Sequence, residues 1–202
     1  IIAVYALSTF AFASAAEDLG GFEGIHATIS RSDAYANGGS YSMKVVLPDE
    51  EPDYANYGRI DLLKYLESGK KYEISFYVYQ DQVERAEGLT TTLNYQQADG
   101  EEQWLNDGTF GNWINEKEWT QIKRPVDLTE GGELTKAALY FETIEVDFYI
   151  DDFVVYDVTN NVEVLKIDFE VEEDEKPADE DDKNDNEKDK EPEKPKSVSF
   201  TF

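Results

Sequence analysis

Apolar and polar residues alternate with a period of two in short runs along this chain, as in strands that have one face in a core and one in water. Tyr72, Ile74, Phe76 and Val78 alternate with Glu73 and Ser75. Leu89, Leu93 and Tyr95 alternate with Thr90, Thr92 and Asn94. Over 137–143, Leu139 and Phe141 fall on one side, Tyr140 and Glu142 on the other. Val146, Phe148, Ile150 and Val154 repeat the pattern, and Tyr41 to Val45 does the same. Turn residues punctuate these runs at Asn37-Gly38-Gly39, Ser68-Gly69, Asp99-Gly100 and Glu130-Gly131-Gly132. No stretch carries a helical period. The pattern predicts an all-β fold over residues 17–168, an antiparallel β-sandwich of the jelly-roll kind.

The two ends read differently. Residues 1–16 resemble the end of a secretion signal, with an apolar run from Ile1 to Phe12 and the small-residue site Ala13-Ser14-Ala15. That run is too short to cross a bilayer. It predicts a secreted, extracellular protein. Residues 169–196 have the composition of a disordered acidic linker, because Glu, Asp, Lys and Pro offer too little apolar surface to offset the entropy of ordering. Residues 197–202, Ser-Val-Ser-Phe-Thr-Phe, alternate again like the first strand of a following domain.

Composition narrows the chemistry. The chain has 202 residues, a net charge of −27, one His and no Cys. An acidic surface excludes nucleic acid and anionic membranes as partners, since phosphate contacts need basic patches. Without Cys and with one His, any metal would be a hard cation held by oxygen, such as calcium. No nucleophile elbow, zinc-protease helix or phosphate loop occurs. Carboxylates are so abundant that finding a pair carries no argument for a glycosidase. An acidic surface rich in Trp and Tyr suits neutral sugars. A structural or adhesive sandwich without a sugar site, and a jelly-roll hydrolase or lyase, are the alternative readings.

Several stretches, in order, resemble the carbohydrate-binding modules of family 22 and their relatives in families 4, 9 and 16. They are Gly21-Phe22-Glu23, Asn37 to Val45, Ile60-Asp61-Leu62 followed by Leu66 to Ser75, Glu118-Trp119-Thr120, Leu139 to Glu142 and Phe148 to Phe153. The resemblance implies a jelly roll that binds β-1,4-linked polysaccharide without catalysis, with xylan the usual ligand and mixed-linkage β-glucan the next. It also implies a structural calcium, an attached glycoside hydrolase as covalent partner and a monomeric module.

Candidate site residues follow from the alternation and the resemblance together. Tyr140 and Glu142 share a solvent face and match a Tyr and a Glu of the family cleft. A ring packs on the apolar side of a pyranose, and a carboxylate accepts bonds from its hydroxyls. Tyr57 stands where the family has Trp, with Tyr54 nearby as a substitute. Trp104 follows the Asp99-Gly100 turn, in a region where the family places a binding Tyr. Asn94 and Gln96 lie on the same polar row. Trp119 is expected in packing, and Trp113 is undecided. The family's ligand-binding Arg has no counterpart between Gly24 and Ile29, where His26 is the polar residue present. For calcium the resemblance implies Glu23, Ser40, Asp151 and Asp152.

Overall fold

The protein is described by a computed structural model, which covers residues 18–50, 56–82, 87–98, 100–106, 112–142 and 144–171. Strands are numbered in chain order. One sheet runs β1 (Phe22–Gly24), β4 (Asn56–Asp61), β10 (Leu134–Glu142), β6 (Glu87–Gln97) and β7 (Gln103–Asn106), with β8 (Asn112–Ile114) pairing the start of β6. The second runs β2 (Thr28–Ser32), β3 (Ser42–Val46), β11 (Phe148–Asp157), β5 (Lys71–Tyr79) and β9 (Thr120–Asp127), with β12 (Val162–Ile167) on β11. Every pairing between these strands is antiparallel. The described residues hold no helix, so the antiparallel β-sandwich expected from the alternation is the fold.

The period-two pattern explains the core. Tyr72, Ile74, Phe76 and Val78 are buried from one sheet, Leu89, Leu93, Leu139 and Phe141 from the other. Rings lock the two layers. Phe76 lies edge-on to Phe141 at 5.3 Å, and Phe22 lies edge-on to Phe153 at 5.2 Å. A polar residue also crosses this layer. Arg124 in β9 takes an inward position between Ile122 and Val126 and is itself buried. Its guanidinium donates to the Thr91 carbonyl at 2.7 Å and to the Leu105 carbonyl in the opposite sheet. These are charge-assisted bonds, and they tie the edge strand β7 to the interior.

The sandwich runs past the Asp168 boundary drawn from the sequence. Phe169 is buried, 5.6 Å from the Phe22 ring, and Glu170 accepts the backbone N–H groups of Ser40 and Tyr41 at 2.7 and 2.9 Å. A single apolar residue at the start of an acidic run therefore completes the core. The signal segment at 1–16, the linker beyond Val171 and the strand-like end at 197–202 lie outside the described residues.

Candidate functional site

Register decides which side chains share the outer face of the first sheet. Paired residues of antiparallel strands point to the same side. Leu139 and Phe141 are buried, so Ala138, Tyr140 and Glu142 face outward. Tyr140 is paired with Arg59 of β4 and Thr92 of β6, and Glu142 with Asn56 and Thr90. Asn94 lies opposite Trp104 of β7. Tyr140, Glu142 and Trp104 thus come together on one face, the first two as their alternation indicated.

The geometry assigns them different tasks. Trp104 is 52% exposed, whereas Tyr140 is only 8% exposed. Their ring centroids are 5.6 Å apart at 41°, so Tyr140 backs the indole rather than offering a free ring. On the Trp104 ring sits Lys136, whose Nζ is 5.6 Å from the centroid. Lys136 is paired with Glu102, and Glu102 also accepts the Asn94 side-chain N–H at 2.8 Å. The Lys136 ammonium, followed by the Asn94 amide, holds the Glu102 carboxyl below the usual carboxylate range. Trp104 is therefore an open platform with a built support.

Glu142 is half-buried, and its Oε2 accepts the Thr92 hydroxyl at 2.7 Å. Its other oxygen has no donor among the described residues. Arg59 donates to Glu23 at 2.8 Å, and that bond, with the neighbouring Tyr140 hydroxyl, raises its affinity for its proton. The face thus presents an apolar ring, an acceptor carboxylate and a fixed guanidinium, which is what a polyhydroxylated ring needs.

Three of the candidates do not offer a free side chain on this face. Tyr57 is 5% exposed and belongs to the core. The pairing of β4 with β10 steps from Asn56↔Glu142 to Gly58↔Phe141, so Tyr57 is the extra residue of a bulge and simple alternation misplaces it. Asn94 is fully buried, and its amide donates to Glu102 and to the Gln103 carbonyl at 3.1 Å. It supports the platform without reaching solvent. Gln96 turns its amide to the Gly100 carbonyl at 3.5 Å, beside the following turn. Tyr54 lies outside the described residues. Sequence reasoning missed Arg59, although Ile60 is buried and its neighbour must then face out. It left Trp113 open; this residue is 59% exposed and paired with Gly88 on the same outer side. Trp119 packs on Tyr79 at 5.3 Å, away from this face.

The four residues implied for calcium are not brought together. Glu23 is on the first sheet with Arg59. Asp151 is buried at a bulge in β11. Its Oδ2 accepts the Asn37 and Gly38 N–H groups at 2.7 and 3.1 Å, and its Oδ1 accepts the Asp152 N–H at 2.7 Å. Asp152 accepts the Asn37 side-chain amide at 2.8 Å. Ser40 presents its N–H to Glu170. N–H donors already occupy these carboxylates, and among the described residues no three acidic or His side chains group around a common point. This donor set does not fit a calcium ion, which needs about six to eight converging oxygens.

Comparison with known proteins places this geometry. A family model described as a carbohydrate binding domain matches residues 17–147, well over half of the chain. A family 22 xylan-binding domain from Paenibacillus barcinonensis is similar in structure at a TM-score of 0.56 and 17% identity, over 68% of this chain and 86% of that one. The C-terminal family 22 carbohydrate-binding module of a Clostridium thermocellum xylanase is similar at 0.56 and 17%, over 71% and 89%. The family 22 and family 10 modules of Clostridium thermocellum endo-1,4-beta-D-xylanase 10B, complexed with xylohexaose, give 0.57 and 19%, over 68% of this chain and 26% of that longer one. No protein with a curated description matches. The described unit is a non-catalytic binding module resembling family 22, and the chain belongs to the carbohydrate binding domain family.

Proposed function

We propose that the outer face of the first sheet binds β-1,4-linked plant cell-wall polysaccharide, with xylan the favoured ligand and mixed-linkage β-glucan the second. The observation that carries this reading is the open Trp104 ring, backed by Tyr140 and set on the same face as Glu142 and Arg59. An indole covers the apolar side of a pyranose, while the charged pair addresses its hydroxyls. The choice of xylan rests on the likeness to family 22 domains whose described ligand is xylan. In this reading the module is secreted, works as a monomer and holds an attached glycoside hydrolase near its substrate, raising the local concentration of bonds to be cleaved. The apolar run before Ala16 and the acidic stretch after Val171 support that layout.

The test is affinity electrophoresis in gels containing xylan, mixed-linkage β-glucan or a soluble cellulose derivative. Retardation by xylan that is lost in Trp104→Ala and Glu142→Ala is expected. Migration unaffected by every polysaccharide would leave a structural or adhesive sandwich as the better reading.

A further inference from the structure

Trp113 is the most exposed aromatic side chain among the described residues. An exposed Trp on a strand, rather than in a loop, is held in a fixed direction by the ladder on which it sits. Here that ladder is short and specific: Glu87 pairs with Ile114, Gly88 with Trp113 and Leu89 with Asn112. Ile114 and Leu89 are buried, so Trp113 must point outward with Gly88. Gly88 brings no side chain to the neighbouring position, and among the described residues the indole has no ring or hydrogen-bond partner.

Its position relative to Trp104 gives it a use. Along β6 the outward residues are Gly88, Thr90, Thr92 and Asn94, in alternation with buried Leu89, Thr91 and Leu93. Trp113 stands beside the first and Trp104 beside the last. Six residues at about 3.3 Å each separate the two rings by roughly 20 Å along the strand. Between them lie Thr90, Thr92 and the Glu142 carboxylate, which is paired to Thr90 and bonded to Thr92. The order is ring, polar row, ring.

We infer that Trp113 is a second stacking platform for the same ligand, so that a polysaccharide chain lies along β6 from Trp104 past Glu142 to Trp113. The inference rests on the sugar-binding reading and deepens it: the site selects long chains. A disaccharide is shorter than the span and meets one ring; a hexasaccharide is longer and meets both. Because the second contact is intramolecular once the first is made, its contribution appears only with length.

The experiment is calorimetric titration of the whole chain with xylo-oligosaccharides from disaccharide to hexasaccharide, using the parent, Trp113→Ala, Trp113→Tyr and Trp104→Ala. Parent affinity is expected to rise with length. Trp113→Ala weakens the hexasaccharide about tenfold, the scale of one lost ring contact, and leaves the disaccharide within twofold. Trp113→Tyr keeps a ring and recovers most of the loss, whereas Trp104→Ala weakens every length. Melting temperatures close to the parent's confirm that the Trp113 variants fold. Hexasaccharide affinity unchanged in Trp113→Ala overturns the inference while leaving the Trp104 site intact. An equal loss at every length overturns it too, as does a change confined to self-association in sedimentation. If the parent binds no member of the series and no polysaccharide gel, the underlying reading fails and this inference with it.

Discussion

Removing the Trp104 ring is the sharpest probe of the proposed face. The ring is 52% exposed, so roughly 125 Å² of its surface lies open if a whole Trp side chain presents about 250 Å². A pyranose covering about half of that opening removes roughly 60 Å² from water, which at ~25 cal/mol per Å² contributes about 1.5 kcal/mol. About 1.4 kcal/mol is tenfold in affinity, so Trp104→Ala should weaken xylo-oligosaccharide binding by about that factor. The covered half of the ring rests on Tyr140 and under Lys136. Its loss costs stability as well, up to about 3 kcal/mol on the same scale, an upper bound because the unfolded chain already buries some surface. Titration calorimetry well below the melting transition, on protein whose circular dichroism matches the parent, separates the two effects. Trp104→Phe keeps a smaller ring and should lose less. A Trp104→Ala protein that is folded and binds within twofold of the parent refutes the reasoning, because the open ring would then contribute nothing.

Phe169→Ala should lower stability by about 3–5 kcal/mol, as for a buried Phe in other cores, and a chain ended at Asp168 should melt at a similarly reduced temperature; an unchanged melting temperature in either would place Phe169 outside the cooperative fold. Asp127 is held at about 2, below its ordinary 3.8, by the Lys71 ammonium and then by Thr129. A depressed carboxyl stabilises the fold above its unfolded pKa and loses that contribution as pH falls towards the folded one. Melting curves taken from pH of about 5 down to about 2 should therefore decline less steeply in Asp127→Asn than in the parent. Asp151 behaves oppositely, since burial pushes its carboxyl up against the opposing backbone N–H bonds; acid alone should not release it. Asp151→Asn should cost about 1–3 kcal/mol by setting an amide N–H against backbone donors. Calcium and chelators should leave the parent's melting temperature unmoved, and a calcium-dependent rise would show that these carboxylates rearrange around an ion.

The alternation carried the fold and much of the face. Tyr140 and Glu142 were legible because they lie in a regular run whose buried partners, Leu139 and Phe141, fix the direction of the rest, whereas Trp104 was legible from the turn before it and the family resemblance. Where regularity breaks, the reading broke with it. A bulge turns Tyr57 into the core, and no local pattern in Asn56-Tyr57-Gly58 announces it. Asn94 follows the alternation yet is covered from the neighbouring Glu102–Gln103 segment, a contact visible only once β7 is paired. Strand β9 was hidden because its inward row is Ile122, Arg124, Val126, and a guanidinium in the middle hides the apolar side. That Arg donates to carbonyls of the opposite sheet, which no sequence period records. The residues implied for calcium are spread for a similar reason. Asp151 and Asp152 lie at the turn as implied, but the partner that closes it is Glu170, from beyond the expected boundary, and Glu23 belongs to Arg59.

The packing of Phe169 on Phe22 also fixes which edge of the sandwich the end of the described chain closes. Phe22 is in β1, at one edge of the first sheet, and Trp104 is in β7 at the other. Four strand spacings of about 4.8 Å put these edges roughly 19 Å apart. The Phe169 contact is thus beside β1, across the full width of the sheet from the exposed indole. A change at that contact therefore acts on the edge of the sheet away from Trp104, so Phe169→Ala should leave the indole's support on Tyr140 in place.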